Sequence, residues 1–276
     1  PLPPLLSSPL FFFVIFRRPP RSPLHRSPEA ADVYKRQSQA LREGVRDLCR
    51  QFPDEYHRQV DAQRDYPEAF VDALTRAGWM AALIPQEYGG LGFSITNYAR
   101  VLGMIGSYCP NTVTYLSAHQ SIGVPQPRKL FGTKAQKEKF MPRLAKGAIS
   151  AFALTEPSVG SDPAKMATTA TPSEDGSYYL LNGEKLWCTN GPVAELLVVM
   201  CVTPPKMVNG KEKKQISAFV VETDTPGFEV VHVCRFMGES GLRSGLLRFT
   251  NGKVPAENLH GKGGSREEKS VQTVEQ

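Results

Sequence analysis

The sequence predicts an α+β protein: an all-α helical N-terminal domain over residues 38–149, then an antiparallel β-barrel or sandwich over 150–260. Three observations predict it. From Ser38 to about Ser150, apolar residues recur at i, i+4 and i+7 between short Gly/Pro breaks. Between Gly147 and Ile149 the apolar period drops from about 3.6 residues to about 2. Beyond that point short β-type runs follow one another, several flanked by Asx-Gly pairs, and no helical stripe intervenes.

The helices follow in order. Leu41, Val45, Leu48 and Phe52 make one stripe that ends at Pro53. Pro67 opens a second helix at its first position, with Phe70 and Leu74 on one face and Gly78 as the stop. Ser94 caps a third, whose Tyr98, Val101, Leu102 and Ile105 repeat the stripe. Asn111 is placed to cap a fourth, running to about Gln120. Thr133 and Gln136 have capping-box spacing for a helix over Lys134–Leu144.

The strands are expected at 150–154, 167–171, 178–181, 185–189, 196–202, 216–222, 228–233 and 246–254. Asp175-Gly176, Asn182-Gly183 and Asn251-Gly252 read as turns that separate or flank them. The lysine-rich stretch Pro204–Lys214 reads as a solvated hairpin loop.

Composition narrows the function classes. Of 276 residues, 41% are hydrophobic and 22% charged, as expected for a protein with a real core. The formal charge of +6 is concentrated: residues 1–37 carry six bases against two acids. No basic face with interleaved aromatics remains, which argues against nucleic acid as a partner. The five cysteines are widely spaced, with no C-x-x-C pair, so reduced thiols are expected and no metal site.

Residues 1–37 are read as an extension outside the fold. They hold eight of the 23 prolines and an apolar run, Leu10–Phe16, too short to span a bilayer. Two readings stand: an organelle transit peptide, or the translation of a sequencing-library adapter, which Asp32–Gln37 resembles.

The chemistry is expected in Phe152-Ala153-Leu154-Thr155-Glu156-Pro157-Ser158-Val159-Gly160-Ser161-Asp162 and, further on, Leu186-Trp187-Cys188-Thr189-Asn190-Gly191. A strand running into a Pro/Ser/Gly loop frees backbone N–H groups to grip a ligand, and Thr155, Ser158 and Ser161 add hydroxyls. Trp187 and Thr189 add a flat wall and another hydroxyl. Such a set suits a planar ring with a polar edge. Glu156, beside a proline on a loop, is read as structural, and His119 and His232 as isolated. No G-x-G-x-x-G after a strand, P-loop, H-E-x-x-H or G-x-S-x-G occurs.

These two stretches together resemble the flavin-binding signature of the acyl-CoA dehydrogenase family. Ile84–Gly92 (I-P-Q-E-Y-G-G-L-G), Ala118–Gly123 (A-H-Q-S-I-G), Phe131–Lys139 and Val254–Leu259 extend the resemblance in register from about Leu41 to Leu259. It implies FAD as cofactor and oxidation of an acyl-CoA to its trans-2-enoyl form. It also implies an electron-transfer flavoprotein as acceptor and a homo-oligomer, dimer or tetramer. A cytoplasmic location is expected, with the mitochondrial matrix as alternative. By motif position, the backbones of Phe152 and Leu154 and the Thr155 hydroxyl meet the flavin. Gly160 and Ser161 lie at the flavin and acyl-CoA contact. Trp187 flanks the ring, Cys188 contributes backbone only, and Thr189 reaches the site of hydride arrival.

The likeness is greatest to the very-long-chain branch, and Val113 and Ser117, modest in size, are expected at the floor of the acyl pocket. Two departures qualify it. Met237–Arg243 follows the family's M-G-x-R-G only loosely, and residues 261–276 match nothing in it. The family's C-terminal four-helix domain, which carries the general base, has no counterpart in this text. No catalytic residue is therefore assigned, and the expectation is a fragment without turnover. Other readings from the same text are a non-catalytic FAD or acyl-CoA-binding module, an acyl-CoA oxidase or flavin monooxygenase on this scaffold, and an interaction protein with no cofactor.

Overall fold

The structure, a computed structural model, describes residues 28–208 and 210–260. The expected extension over residues 1–27 and the non-matching tail over 261–276 lie outside those residues. The first helix, α1 (Pro28–Arg50), starts within the segment read as an extension. Then come α2 (Asp54–Gln63), α3 (Glu68–Arg76), α4 (Ile95–Gly106), α5 (Pro110–Ser117), α6 (Pro125–Phe131) and α7 (Lys134–Ala145).

The predicted stripes become the helical core. Val45, Leu48, Phe70, Leu74, Val101 and Ile105 are all buried in one cluster. Ser94 accepts from the Asn97 N–H, and Thr133 and Gln136 form the full capping box. Gly78 takes φ 79°, a conformation that stops a helix and that glycine adopts without a side-chain clash. One cap is corrected: α5 starts at Pro110, with Cys109 as its cap residue. Asn111 sits inside the helix and donates to the Asp61 carboxylate at 3.3 Å. The helix then widens into a π-helical turn over Ala118–Ile122.

Among the described residues seven strands follow in one sheet: β1 (Ser150–Ala153), β2 (Thr169–Pro172), β3 (Tyr178–Thr189), β4 (Leu196–Val208), β5 (Lys211–Glu222), β6 (Phe228–Val233) and β7 (Ser244–Pro255). The order is β1-β4-β2-β3-β7-β6, with β5 on the other side of β4. Most pairs are antiparallel as expected, but β1 and β2 both pair with β4 in parallel, so the sheet is mixed. Interruptions in the β3–β7 and β6–β7 registers curl it into a half-barrel.

β4 explains the layering. Leu197, Val199 and Cys201 face the β core, while Leu196 and Val198 meet Phe140, Met141 and Leu144 of α7. Buried on both faces, β4 needs a continuous apolar run, and Leu196–Val202 is one.

Three loop assignments are corrected, of which the simplest is Asn251-Gly252: it lies inside β7, with Asn251 at φ 50°. Asn182-Gly183 is an irregularity inside one continuous β3, because Gly183 lies against Thr168 of the neighbouring segment. A Cβ there would come within 2.6 Å of Thr168 Oγ1. The Pro204–Lys214 stretch is a two-stranded ribbon, with Lys206 opposite Lys213 and Met207 opposite Glu212. Its exposed lysines mark a protected sheet edge.

Candidate functional site

The two signature stretches lie side by side. β1 ends at Ala153, and the Leu186 N–H donates to the Thr155 carbonyl at 2.8 Å. The Cys188 thiol donates to the Phe152 carbonyl at 3.4 Å. Phe152, Leu154, Thr155 and Thr189 are half-buried, and Gly160 and Ser161 are exposed. Around Gly160 nothing lies within 4 Å of the point where a Cβ would sit.

Trp187 is 59% exposed and takes φ 55°, in the left-handed region that bulky residues avoid. The register break between Lys185 and Cys188 produces that backbone. It turns the indole out of the sheet, so Trp187 is not core packing. Cys188 points the other way: burial pushes its thiol up to about 12, which leaves it inert.

Sequence reasoning missed what holds the first loop. Glu156 and Val159 close a tight bridge through 2.9 and 3.1 Å backbone hydrogen bonds. The Glu156 carboxylate accepts from the backbones of Ala167 at 2.7 Å and Thr168 at 3.0 Å, and from Lys185 Nζ at 2.8 Å. Lys185 also donates to the Leu154 carbonyl at 3.0 Å. Burial alone would raise the Glu156 pKa, but these donors outweigh it and hold it at about 2. Glu156 is thus spent on structure, in line with its sequence reading. A lysine in an alternating strand carries no signal that it will be buried. On the far side of the loop, Lys214 Nζ donates to the carbonyls of Ala164 at 2.7 Å and Met166 at 2.9 Å.

Asn190, at φ 66°, joins the site to the helices. Its amide donates to the Tyr115 carbonyl on α5 at 2.9 Å, and its own N–H donates to the Arg243 carbonyl at 2.7 Å. Arg243 pairs with Asp65, and a cavity of about 460 Å³ lies there, with Arg64, His232, Glu239 and Arg243 among its lining.

Val113 and Ser117 share one face of α5, toward α4. The Cβ position of Gly106 is 3.3 Å from Val113 Cγ1, and Ser117 meets the Tyr98 hydroxyl. His119 is fully buried: the Ser150 N–H donates to its Nδ1 at 3.0 Å, leaving Nε2–H to donate to the Met80 carbonyl at 3.1 Å. It joins helix to sheet and keeps its nitrogens for that.

The donor set fits a flat heteroaromatic group with a polar edge: an outward indole, two half-exposed threonines and an open glycine-serine loop. Comparison with known proteins points the same way. The N-terminal domain of acyl-CoA dehydrogenases matches residues 35–148, and the middle domain of the same family matches 151–252. A probable acyl-CoA dehydrogenase, FadE10, of Mycobacterium tuberculosis is 50% identical over 205 residues, covering 74% of this chain and 31% of that protein. The mitochondrial very long-chain specific acyl-CoA dehydrogenase of Rattus norvegicus is 40% identical over 231 residues, 83% of this chain and 35% of that protein. The chain therefore spans about a third of the length of these relatives. Among solved structures, an acyl-CoA dehydrogenase from Bacillus anthracis complexed with FAD superimposes with a TM-score of 0.70 at 30% identity. That match covers 82% of this chain and 37% of the other.

Proposed function

The chain belongs to the acyl-CoA dehydrogenase family, and on that footing we propose that it supplies the helical and β parts of an FAD-dependent enzyme oxidising long-chain acyl-CoA to trans-2-enoyl-CoA. The observation that carries this is the 2.8 Å hydrogen bond from the Leu186 N–H to the Thr155 carbonyl, which sets the strand-end donors beside an outward Trp187.

FAD supplies the hydride acceptor. The backbones of Phe152 and Leu154 and the hydroxyls of Thr155 and Thr189 give the polar edge its partners, and the Trp187 indole covers one side. Cys188 takes part through its backbone only. Gly160 leaves room for close approach, and the exposed Ser161 hydroxyl reaches toward acyl-CoA. Glu156 is not the group that removes the α-proton, since both its oxygens are engaged by Lys185, Ala167 and Thr168.

Val113 and Ser117 make the α4–α5 seam the floor of the acyl site, and the likeness to a very long-chain specific relative supports that chain-length class. Electrons leave to an electron-transfer flavoprotein, from a homo-oligomer in the cytoplasm or the mitochondrial matrix. Among the described residues no helix is long and apolar enough to cross a membrane.

The test is reconstitution. The chain mixed with FAD should retain the yellow flavin absorption through gel filtration, and long-chain acyl-CoA should perturb that spectrum more than butyryl-CoA does. A colourless eluate overturns the flavin assignment; a stronger effect from butyryl-CoA overturns only the chain length.

A further inference from the structure

Arg128, on α6, is fully buried. Its Nη2 donates to the Asn258 carbonyl at 2.9 Å, and its guanidinium carbon stands 5.2 Å from the Phe140 ring centroid. Its Nε and Nη1, which carry most of the guanidinium's N–H donors, have no hydrogen-bond partner among the described residues. Each of the two edges by which a guanidinium grips a carboxylate therefore keeps an open donor.

The surroundings are polar and equally unmatched. Oε1 of Gln126 is buried without a partner among the described residues, and the buried ring nitrogens of His260 face at most the Pro127 carbonyl. Burial and the Arg128 charge together push the His260 pKa down to about 4. Glu257, the acid on the adjoining turn, is taken by Lys139 at 2.6 Å. A buried cation without a counter-charge costs several kcal/mol. Water could accept its hydrogen bonds but would leave the charge uncompensated. A carboxylate does both, with the planar, two-oxygen shape that fits a guanidinium edge.

We propose that Arg128, with His260 beside it, is the seat of a carboxylate, drawn either from solution or from an acidic side chain of the sequence after His260, where Glu267, Glu268 and Glu275 stand. The site takes no part in the oxidation proposed above, and it holds or fails independently of that reading.

Thermal unfolding of the 276-residue chain in sodium formate, exchanged against bulky gluconate at constant ionic strength, tests it. If the source is solution, formate raises the wild-type Tm saturably, by about 3 °C, and Arg128→Met loses the response. If the source is the chain, wild type is indifferent, the Glu267→Gln/Glu268→Gln/Glu275→Gln variant becomes formate-responsive, and adding Arg128→Met removes that response. A response identical with and without Arg128, or none in either background, overturns the proposal. Should Arg128→Met not fold, the Nε–H resonance of Arg128 in nitrogen-15-labelled protein, assigned with Arg128→Lys, takes its place. Formate must move it in wild type or in the triple-glutamine variant, and a resonance fixed in both overturns the proposal.

Discussion

Glu156 Oε1 and Lys185 Nζ meet at 2.8 Å, with side chains 4% and 0% exposed, and together they clamp the loop between β1 and β2 onto β3. Removing one partner strands the other as a buried charge, at a cost of about 3–5 kcal/mol. Lys185→Met should therefore lower stability far more than loss of a surface ion pair such as Lys165–Asp162. Denaturant midpoints of Lys185→Met and Lys165→Met, measured side by side, check this; equal losses would contradict it.

The same pair sets an acid limit. Glu156 is held at about 2 in the fold against an ordinary 4.5, so the unfolded chain takes up its proton first as pH falls. Its stabilisation is complete above about pH 4.5 and is lost on the way down to about 2. Subtracting the unfolding free energy of Glu156→Gln from that of wild type across this range should give a slope confined to it.

His119 produces a second, separate window. Burial lowers its pKa from 6.5 to about 4, only partly offset by the Met80 carbonyl. The fold keeps the neutral ring, so its contribution is whole above about pH 6.5 and fades down to about 4. His260 titrates in the same range and burial lowers the His57 pKa as well, so the wild-type curve holds contributions from all three. The difference between wild type and His119→Gln isolates that of His119.

What could be read from the sequence, and what could not, follows from the range of each interaction. The Thr133–Gln136 box and the Ser94 cap span three residues, and both were legible. α2 escaped because it buries no side chain and so has no apolar stripe to show. The parallel pairing of Ser150 with Leu196, and the contact that turns Gly183 from a turn residue into part of a continuous strand, depend on segments distant in sequence. The signature residues of the site were legible as a pattern. Lys185, Asn190 and Lys214, which hold them in place, were not, because each acts on a backbone carbonyl far along the chain.

The thiols should react in a defined order. Cys49, Cys109, Cys188 and Cys201 are buried, and Cys234 is only half-buried. Iodoacetamide should label Cys234 first in the native protein, and Cys188→Ser should leave its rate unchanged. Early labelling of Cys188, detected by peptide mass spectrometry, would contradict the burial that holds its thiol at about 12.

Trp187 separates stability from binding. At φ 55° a side chain with a Cβ carries strain, and an indole 59% exposed returns little by burial. Glycine relieves that strain, although it also increases the freedom of the unfolded chain. Trp187→Gly should therefore fold with stability within about 1 kcal/mol of wild type. Trp187→Ala removes the ring but keeps the strained backbone, and should be no more stable than Trp187→Gly. Both lose the flat wall proposed to cover FAD, so both should come through gel filtration without the flavin colour that wild type retains. If they keep FAD while folding normally, the indole is not the wall, and its outward, strained conformation needs another purpose. If Trp187→Gly unfolds, the side chain is packing after all, and its conformation is not held for a ligand.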